Sequence, residues 1–89
     1  MCEILRTSQF RRDVKLAQKR CKDTDALRTV IEALARGQTL PADYRDHPLK
    51  GVFKDCRECH LEGDWLLIYR IEGNVLQLVR TGTHSDLFR

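Results

Sequence analysis

The sequence predicts an α+β fold in the order β-α-α-β-β-β, with two N-terminal helices packed on one face of an antiparallel sheet. Apolar residues recur at helical spacing between residues 8 and 37, and after Gly51 their period changes to that of strands. Glu72-Gly73-Asn74 separates two apolar runs, as a tight hairpin turn does. The 89 residues make a single domain over 1–89, whose small core buries ~60–65% of the unfolded surface.

A short strand-like run over residues 2–6 precedes the first helix, which Ser8 could cap and which is predicted to extend through Lys22. Its apolar face is formed by Phe10, Val14, Ala17 and Cys21. Its other side carries the basic residues Arg11, Lys15, Lys19 and Lys22. Such a basic stripe is typical of a solvent-exposed face, and it could also dock an acidic partner or an RNA backbone. The net charge of +3 is modest, but basic residues are concentrated in this first quarter of the chain.

A second amphipathic helix follows, with an N-cap supplied by Asp23, Thr24 or Asp25 and a natural stop at Gly37. Its buried face consists of Leu27, Val30, Ile31 and Leu34. The connection between the two helices is very short, so they should form an antiparallel pair. Residues 38–49 are predicted to be a loop, because they contain two prolines and several polar residues.

The second half of the chain is predicted to contain three strands. Residues 52–61 alternate loosely, residues 66–71 form a strand too apolar to face water on either side, and residues 75–79 return from the hairpin. The Cys-x-x-Cys-His run at 56–60 matches the attachment pattern of c-type haem. However, Cys56 and Cys59 should lie on opposite faces of a strand, and the sequence offers no second axial methionine. We therefore expect both cysteines to be packing residues, and we expect no cofactor and no metal.

All three histidines lie in this half, and histidine is the side chain that exchanges protons near neutral pH. If Gly73-Asn74 is a two-residue turn, Trp65 faces Gly82, whereas a three-residue turn would place Asp64 there. Either register brings His84 beside the Asp64-Trp65 pair. The sequence therefore predicts one cluster at a corner of the sheet: His60, Asp64, Trp65 and His84. Spacing alone does not place His47, which lies in the loop before Pro48.

No apolar run approaches the ~20 residues that cross a bilayer. The N-terminal run has no signal-peptide layout, so we expect a cytoplasmic protein without membrane contacts. The sequence contains neither a glycine-rich phosphate loop nor a G-x-S-x-G motif. These absences argue against the nucleotide-binding and serine-hydrolase classes that those motifs mark.

Several segments together resemble the YafQ branch of the RelE/ParE toxin superfamily. They are Asp13 to Arg20, His47-Pro48-Leu49-x-Gly51, Arg57-x-x-His60, Asp64-Trp65-Leu66-Leu67-Ile68-Tyr69, Arg80-Thr81-Gly82-Thr83-His84, and Leu87-Phe88. The resemblance covers nearly the whole chain in order. It implies a small microbial ribonuclease-like fold and an mRNA interferase, a toxin that enters the ribosomal A site and cuts mRNA there.

The resemblance also implies site residues and partners. The implied catalytic set is His47, His60, Asp64 and His84, and Trp65 and Phe88 would position the nucleotide. The implied partner is an antitoxin, of the ribbon-helix-helix type that binds DNA, which covers the site. Operator DNA would be contacted only through that antitoxin.

The expected reaction is metal-independent RNA cleavage, in which the ribose 2′-hydroxyl attacks the adjacent phosphate. We expect His84 to be the general acid and His60 or Asp64 the base, with His47 orienting the substrate or stabilising charge. The cations expected to offset charge on the phosphorane are Arg80 with Lys54 or Arg57. Two alternatives remain open, namely a ParE-like toxin without nuclease activity and an inactive partner-binding module.

Overall fold

A five-stranded sheet and two helices form the body of the protein. The computed structural model describes residues 3–88. Its strands and helices are β1 (Glu3–Arg6), α1 (Ser8–Lys19), α2 (Thr24–Ala35), β2 (His47–Pro48), β3 (Arg57–Glu62), β4 (Trp65–Glu72), β5 (Val75–Gly82) and α3 (His84–Leu87). Two short 3-10 turns lie at Ala42–Tyr44 and Gly51–Phe53. The predicted α+β class is confirmed, and no helix in the described residues is long and apolar enough to cross a membrane.

The sheet is mixed rather than purely antiparallel. Its strand order is β1-β5-β4-β3-β2, and β1 runs parallel to β5 with Glu3 opposite Val75. The prediction of an antiparallel sheet was wrong for this pair because it joins the two ends of the chain, and no local pattern reports such a pairing. The predicted loop at 38–49 also contains β2, whose two residues are too few to show a strand period.

The first helix begins one residue earlier than a cap at Ser8 would allow, and it is shorter than predicted at its C-terminal end. Thr7, not Ser8, is its N-cap, since the Thr7 side chain accepts a hydrogen bond from the Phe10 amide. The helix ends at Lys19, and Cys21 has a positive φ of 58° and is exposed, so its predicted burial was wrong. The predicted cap of α2 is confirmed as Asp23, which accepts from two amides of the first turn.

The strand predicted over 52–61 begins later, at Arg57, because residues 51–53 form a 3-10 turn and Asp55 has a positive φ of 72°. Within this turn the side chain of Val52 is 95% exposed. The alternation of apolar residues in this segment therefore reflects a turn and not an extended strand.

The β4–β5 hairpin has the two-residue turn, the first of the two alternatives left open by the sequence, with Glu72 opposite Val75. Its register then shifts near the middle, where β5 holds one extra residue. Leu66 therefore faces Gly82, so neither of the two expected partners of Gly82, Trp65 for a two-residue turn or Asp64 for a three-residue turn, is the observed one. Counting residues back from the turn cannot predict such a bulge, because the sequence does not show where the extra residue lies.

Two apolar layers lie on the two faces of the sheet. The helices cover one face, where the core includes Phe10, Leu27, Val30, Leu34, Cys59, Trp65, Leu67, Tyr69, Leu76 and Leu78. The other face carries a smaller cluster of Cys56, Leu66, Ile68 and Leu87. The centre of β4 is buried on both sides, as predicted. Both cysteines of the C-x-x-C run are confirmed as packing residues, and burial raises the pKa of the Cys59 thiol to about 12.

Candidate active site

His84 and Asp64 form a paired acid–base unit at one end of the sheet. Asp64 lies in the β3–β4 turn and His84 is the first residue of α3. One Asp64 carboxylate oxygen accepts from the His84 backbone amide at 3.3 Å and is also hydrogen-bonded to Nδ1 of the ring. These bonds lower the pKa of Asp64, so the ionised carboxylate accepts and Nδ1 donates. The other ring nitrogen, Nε2, is thereby left available to exchange a proton with a substrate.

A buried carboxylate lies between the other two histidines. Glu58 has a side chain only 4% exposed, and its Oε1 is 3.4 Å from Nε2 of His47 and 3.6 Å from Nε2 of His60. Strand β2 places His47 directly opposite Glu58, and His60 follows two residues later on β3. Burying a carboxylate is costly unless charge or hydrogen bonds compensate it, and these two rings are the groups positioned to do so.

Glu58 was not among the residues predicted from the sequence. The signal that could have found it is the period of two along a strand, which puts residues 58 and 60 on the same face. The sequence does not report the burial of Glu58, because a glutamate on a strand is usually exposed. His47 was likewise unplaced by spacing, and its Nδ1 donates to the Arg45 carbonyl at 2.6 Å, which fixes the ring orientation.

The three imidazoles form a row that continues into two phenylalanines. Ring centres are 6.3 Å apart for His47 and His60, and 5.9 Å apart for His60 and His84. Phe88 lies 6.1 Å beyond His84, and Phe53 meets Phe88 edge-on at 5.7 Å. The structure thus brings together the four residues of the expected catalytic set and places Phe88, 44% exposed, beside them.

Trp65 is not available to a substrate. Its side chain is 1% exposed and belongs to the core beneath the helices, so the expectation that it positions a nucleotide was wrong. It is the first residue of β4, and its side chain is directed to the helix-covered face, away from the histidines. Within residues 3–88 its indole nitrogen has no hydrogen-bond partner.

The three expected cations differ in what they contact. Arg80 donates to the carboxylate of buried Asp13 through Nε at 2.8 Å and Nη2 at 3.1 Å, and it lines a shallow cleft with Phe53 and Phe88. Arg57 donates from Nε to Asp46 at 2.9 Å, a bond that raises the pKa of the guanidinium. Lys54 is exposed in the turn before β3. Of these three, Arg80 is therefore the cation that the structure places at the aromatic end of the row, where Lys50 lines the same cleft.

Within the described part of the chain, no group of three or more histidine, cysteine, aspartate or glutamate side chains is arranged to hold a metal ion. The chemistry that the row offers is proton exchange. It presents imidazoles within reach of one another, two carboxylates that orient them, and an open surface on which a substrate can lie.

Comparison with known proteins places this arrangement in a defined class, the toxins of bacterial type II toxin–antitoxin systems. A family model described as the bacterial toxin of type II toxin-antitoxin system, YafQ, matches residues 2–89. The mRNA interferase toxin YafQ of Escherichia coli strain K12 is 46% identical over 87 residues, which cover 97% of this chain and 95% of the relative. The chain belongs to the YafQ toxin family.

Solved structures agree with this assignment. YafQ from Escherichia coli BL21(DE3) superposes with a TM-score of 0.95 at 43% identity, covering all of both chains. YafQ in the Escherichia coli DinJ–YafQ toxin–antitoxin complex gives 0.91 at 45% identity, over 99% of this chain and 98% of that one. A metal-bound toxin from Helicobacter pylori gives 0.91 at 47% identity, over 99% of this chain and all of that one.

Proposed function

We propose that this protein is a ribosome-dependent mRNA interferase that cleaves RNA by general acid–base catalysis without a metal ion. The observation that carries the proposal is the row of three imidazoles, in which His84 is oriented by Asp64 and the other two share Glu58. The family membership and the relatives named mRNA interferase toxin support the choice of substrate.

Cleavage of this kind needs one group to remove the 2′-hydroxyl proton and another to protonate the leaving 5′-oxygen. The 2′-oxygen then bonds to phosphorus as the bond to the 5′-oxygen breaks, which leaves a 2′,3′-cyclic phosphate and a 5′-hydroxyl. His60 and His84, with ring centres 5.9 Å apart, can both reach one phosphate, because each hydrogen bond spans about 3 Å.

His84 is the general acid in this scheme. The Asp64 carboxylate accepts from Nδ1 and stabilises the imidazolium, which leaves a proton on Nε2 for the 5′-oxygen. Because Asp64 is committed to His84, it is a weaker candidate for the base than the sequence implied. His60 is the better candidate, since Glu58 adjoins its Nε2 and favours the ring after it has taken up the proton.

The remaining groups of the row support charge and position. His47 shares Glu58 and orients the substrate at one end of the row, and Arg80 offsets negative charge on the phosphorane from the opposite end. The exposed faces of Phe53 and Phe88 offer a surface on which a base can stack, with Arg80 in the same cleft.

The proposed ribosomal partner is supported by the charge distribution. Residues 8–22 contain six basic residues and one acidic residue, whereas the rest of the chain has ten basic and twelve acidic. Arg11, Lys15 and Lys19 are exposed on α1 at four-residue intervals, and the one acid of that helix, Asp13, is buried against Arg80. A surface of this kind favours RNA phosphates.

The second proposed partner is an antitoxin of the ribbon-helix-helix type, through which alone operator DNA would be contacted. The similarity to YafQ in the DinJ–YafQ toxin–antitoxin complex supports the existence of such a partner. The exposed histidine row is a surface that the antitoxin could cover to silence the toxin.

The test is cleavage of ribosome-bound mRNA by wild type, His84→Ala and Asp64→Ala, with Asp25→Ala as the control for loss of an exposed carboxylate. We expect both site variants to lose cleavage by ~10²-fold or more, and we expect cyclic phosphate ends with and without a chelator selective for transition metals, with Mg²⁺ retained because the ribosome needs it. Wild-type rates from both folded site variants, or loss of activity on chelation of transition metals, would reject the mechanism. Replication arrest on induction, with translation intact, would instead favour a ParE-like toxin.

A further inference from the structure

We propose that Arg20 and Asp86 form a positioning pair that holds α3 against α1 and thereby sets the position of His84. The inference rests on the proposed role of His84. Neither residue belongs to the histidine row. They contact each other across two elements that are distant in sequence.

The helix α3 needs such support because it is only four residues long, Leu87 being its last. A helix this short is not stable by itself, since its few hydrogen bonds do not repay the cost of nucleation. It begins with His84, and Phe88 follows it, so the two groups at the aromatic end of the row move together with this one turn.

Asp86 closes α3 from within through a capping box. The Thr83 hydroxyl accepts from the Asp86 amide at 3.2 Å, and the Asp86 carboxylate accepts from the Thr83 amide at 3.0 Å. These two bonds fix the backbone immediately before His84. They do not by themselves fix where the turn lies relative to the rest of the domain.

Arg20 supplies that external contact. It is the C-cap residue of α1, and its Nη1 donates to Asp86 at 2.7 Å while Nη2 lies 3.4 Å from the other carboxylate oxygen. The guanidinium lowers the pKa of Asp86 to about 2, so the carboxylate is ionised near neutral pH. One carboxylate thus joins its own helix cap to α1.

Gly82 allows this close approach. A Cβ at position 82 would lie 3.0 Å from both Cβ and Oδ2 of Asp86, a contact tight enough that Asp86 would have to move by a few tenths of an ångström. Its φ is not in the left-handed region, so glycine is favoured here by space and not by backbone conformation. The absence of a side chain at position 82 lets Asp86 lie close against β5 without displacement.

A second polar contact from α1 holds the other end of the same segment. Asp13, seven residues before Arg20 and so on the same helix face, accepts from Arg80 and from the Thr81 amide at 3.2 Å. Helix α1 and its C-cap residue thus make polar contacts with the segment 80–86 at two points, although α1 contributes no residue to the histidine row. The pair at Arg20 is the contact that reaches α3 itself, and it acts together with the Asp64 bonds to His84 and the burial of Leu87.

The experiment compares Arg20→Gln, Arg20→Lys and Arg36→Gln in the ribosome-bound cleavage assay. Arg36 is the C-cap residue of α2 and is exposed, so it is a matched control for an arginine in that position. We expect Arg20→Gln to lower kcat between about ten- and a hundredfold with little change in KM, because small displacements of a catalytic group are costly. Arg20→Lys should recover most of the rate, and Arg36→Gln should match wild type.

The ring resonances of His84 in nuclear magnetic resonance spectra provide a readout that does not depend on turnover. They should shift in Arg20→Gln and in Asp86→Asn, which retains an oxygen for the Thr83 amide, while those of His47 stay in place. A wild-type kcat and unshifted His84 resonances in Arg20→Gln would reject the positioning pair, as would equal losses in Arg36→Gln. Full activity of His84→Ala, with shifted resonances in Arg20→Gln, would reject the catalytic scheme and keep the structural coupling.

Discussion

Glu58 lies between His47 and His60, with one carboxylate oxygen within 3.6 Å of a nitrogen of each ring. The glutamate is 3% exposed, so its charge acts on the two imidazoles with little screening by water. Of the two carboxylates that contact the histidine row, Glu58 is buried and Asp64 is exposed.

Replacing this carboxylate with its neutral amide, Glu58→Gln, should lower cleavage by ~10²-fold or more while the fold is retained. The amide keeps the shape but removes the charge that favours a protonated His60. Single-turnover cleavage on the ribosome measures the effect. Glu62→Gln, an exposed change on the same strand, is the control, and equal losses in the two variants would contradict the assignment.

Phe88→Ala should lower kcat/KM by about ten- to a hundredfold, because one stacked base is worth ~1–3 kcal/mol. Phe88 is 44% exposed, and Ile71, 48% exposed at the far end of β4, is a matched control for removal of an exposed apolar side chain. Initial rates over a range of substrate concentration would separate the two variants. A full rate from Phe88→Ala would mean that no base stacks there.

The rate of cleavage should fall as salt concentration rises, because salt weakens the binding of RNA phosphates to the basic stripe on α1. The double variant Lys15→Gln/Lys19→Gln should flatten the fall of log kcat/KM with log salt concentration by roughly 0.7 to 0.9 for each RNA phosphate that the variant no longer binds. The control Arg28→Gln/Arg36→Gln removes the same charge from α2. If the α1 variant keeps the wild-type slope but binds the antitoxin more weakly, the stripe serves the protein partner instead.

Asp13→Ala should lower the free energy of unfolding by about 3 kcal/mol, because it leaves Arg80 without its partner in a largely buried site. The Asp13 side chain is 6% exposed and that of Arg80 is 24% exposed. Urea denaturation gives the value, and Asp25→Ala, in the exposed first turn of α2, gives the reference. A difference below about 0.5 kcal/mol between the two variants would show that the ion pair does not support the fold.

The folding stability of the domain should fall at acid pH, in part because Asp86 becomes protonated. The folded-state pKa of this carboxyl is depressed from 3.8 to about 2, so its contribution to stability is present above pH 3.8 and is lost as pH falls toward 2. Thermal unfolding between pH 5 and pH 2 should therefore show a smaller fall in Tm for Asp86→Asn than for wild type. Parallel curves for the two proteins would contradict this linkage.

Local patterns predicted most of the secondary structure. The apolar spacing of α1 and α2, the cap of α2 and the tight turn at Gly73-Asn74 all depend on residues close in sequence, and the structure contains each of them, with Cys21 as the one apolar position of α1 that lies outside the helix. The doubly buried centre of β4 was predicted for the same reason, since an apolar run reports burial whatever covers it. The convergence of His60, Asp64 and His84 followed from one hairpin and one turn.

Tertiary structure decided what those patterns cannot report. Strand β1 pairs in parallel with β5, and α1 makes polar contacts with the segment 80–86. Both interactions join parts of the chain that are distant in sequence. The bulge in β5 changed which residue faces Gly82. Tertiary packing places Trp65 in the core and buries Glu58 beside His47. The sequence does not show either outcome, because the side of the sheet on which a side chain lies depends on the exact register and on the elements that cover it.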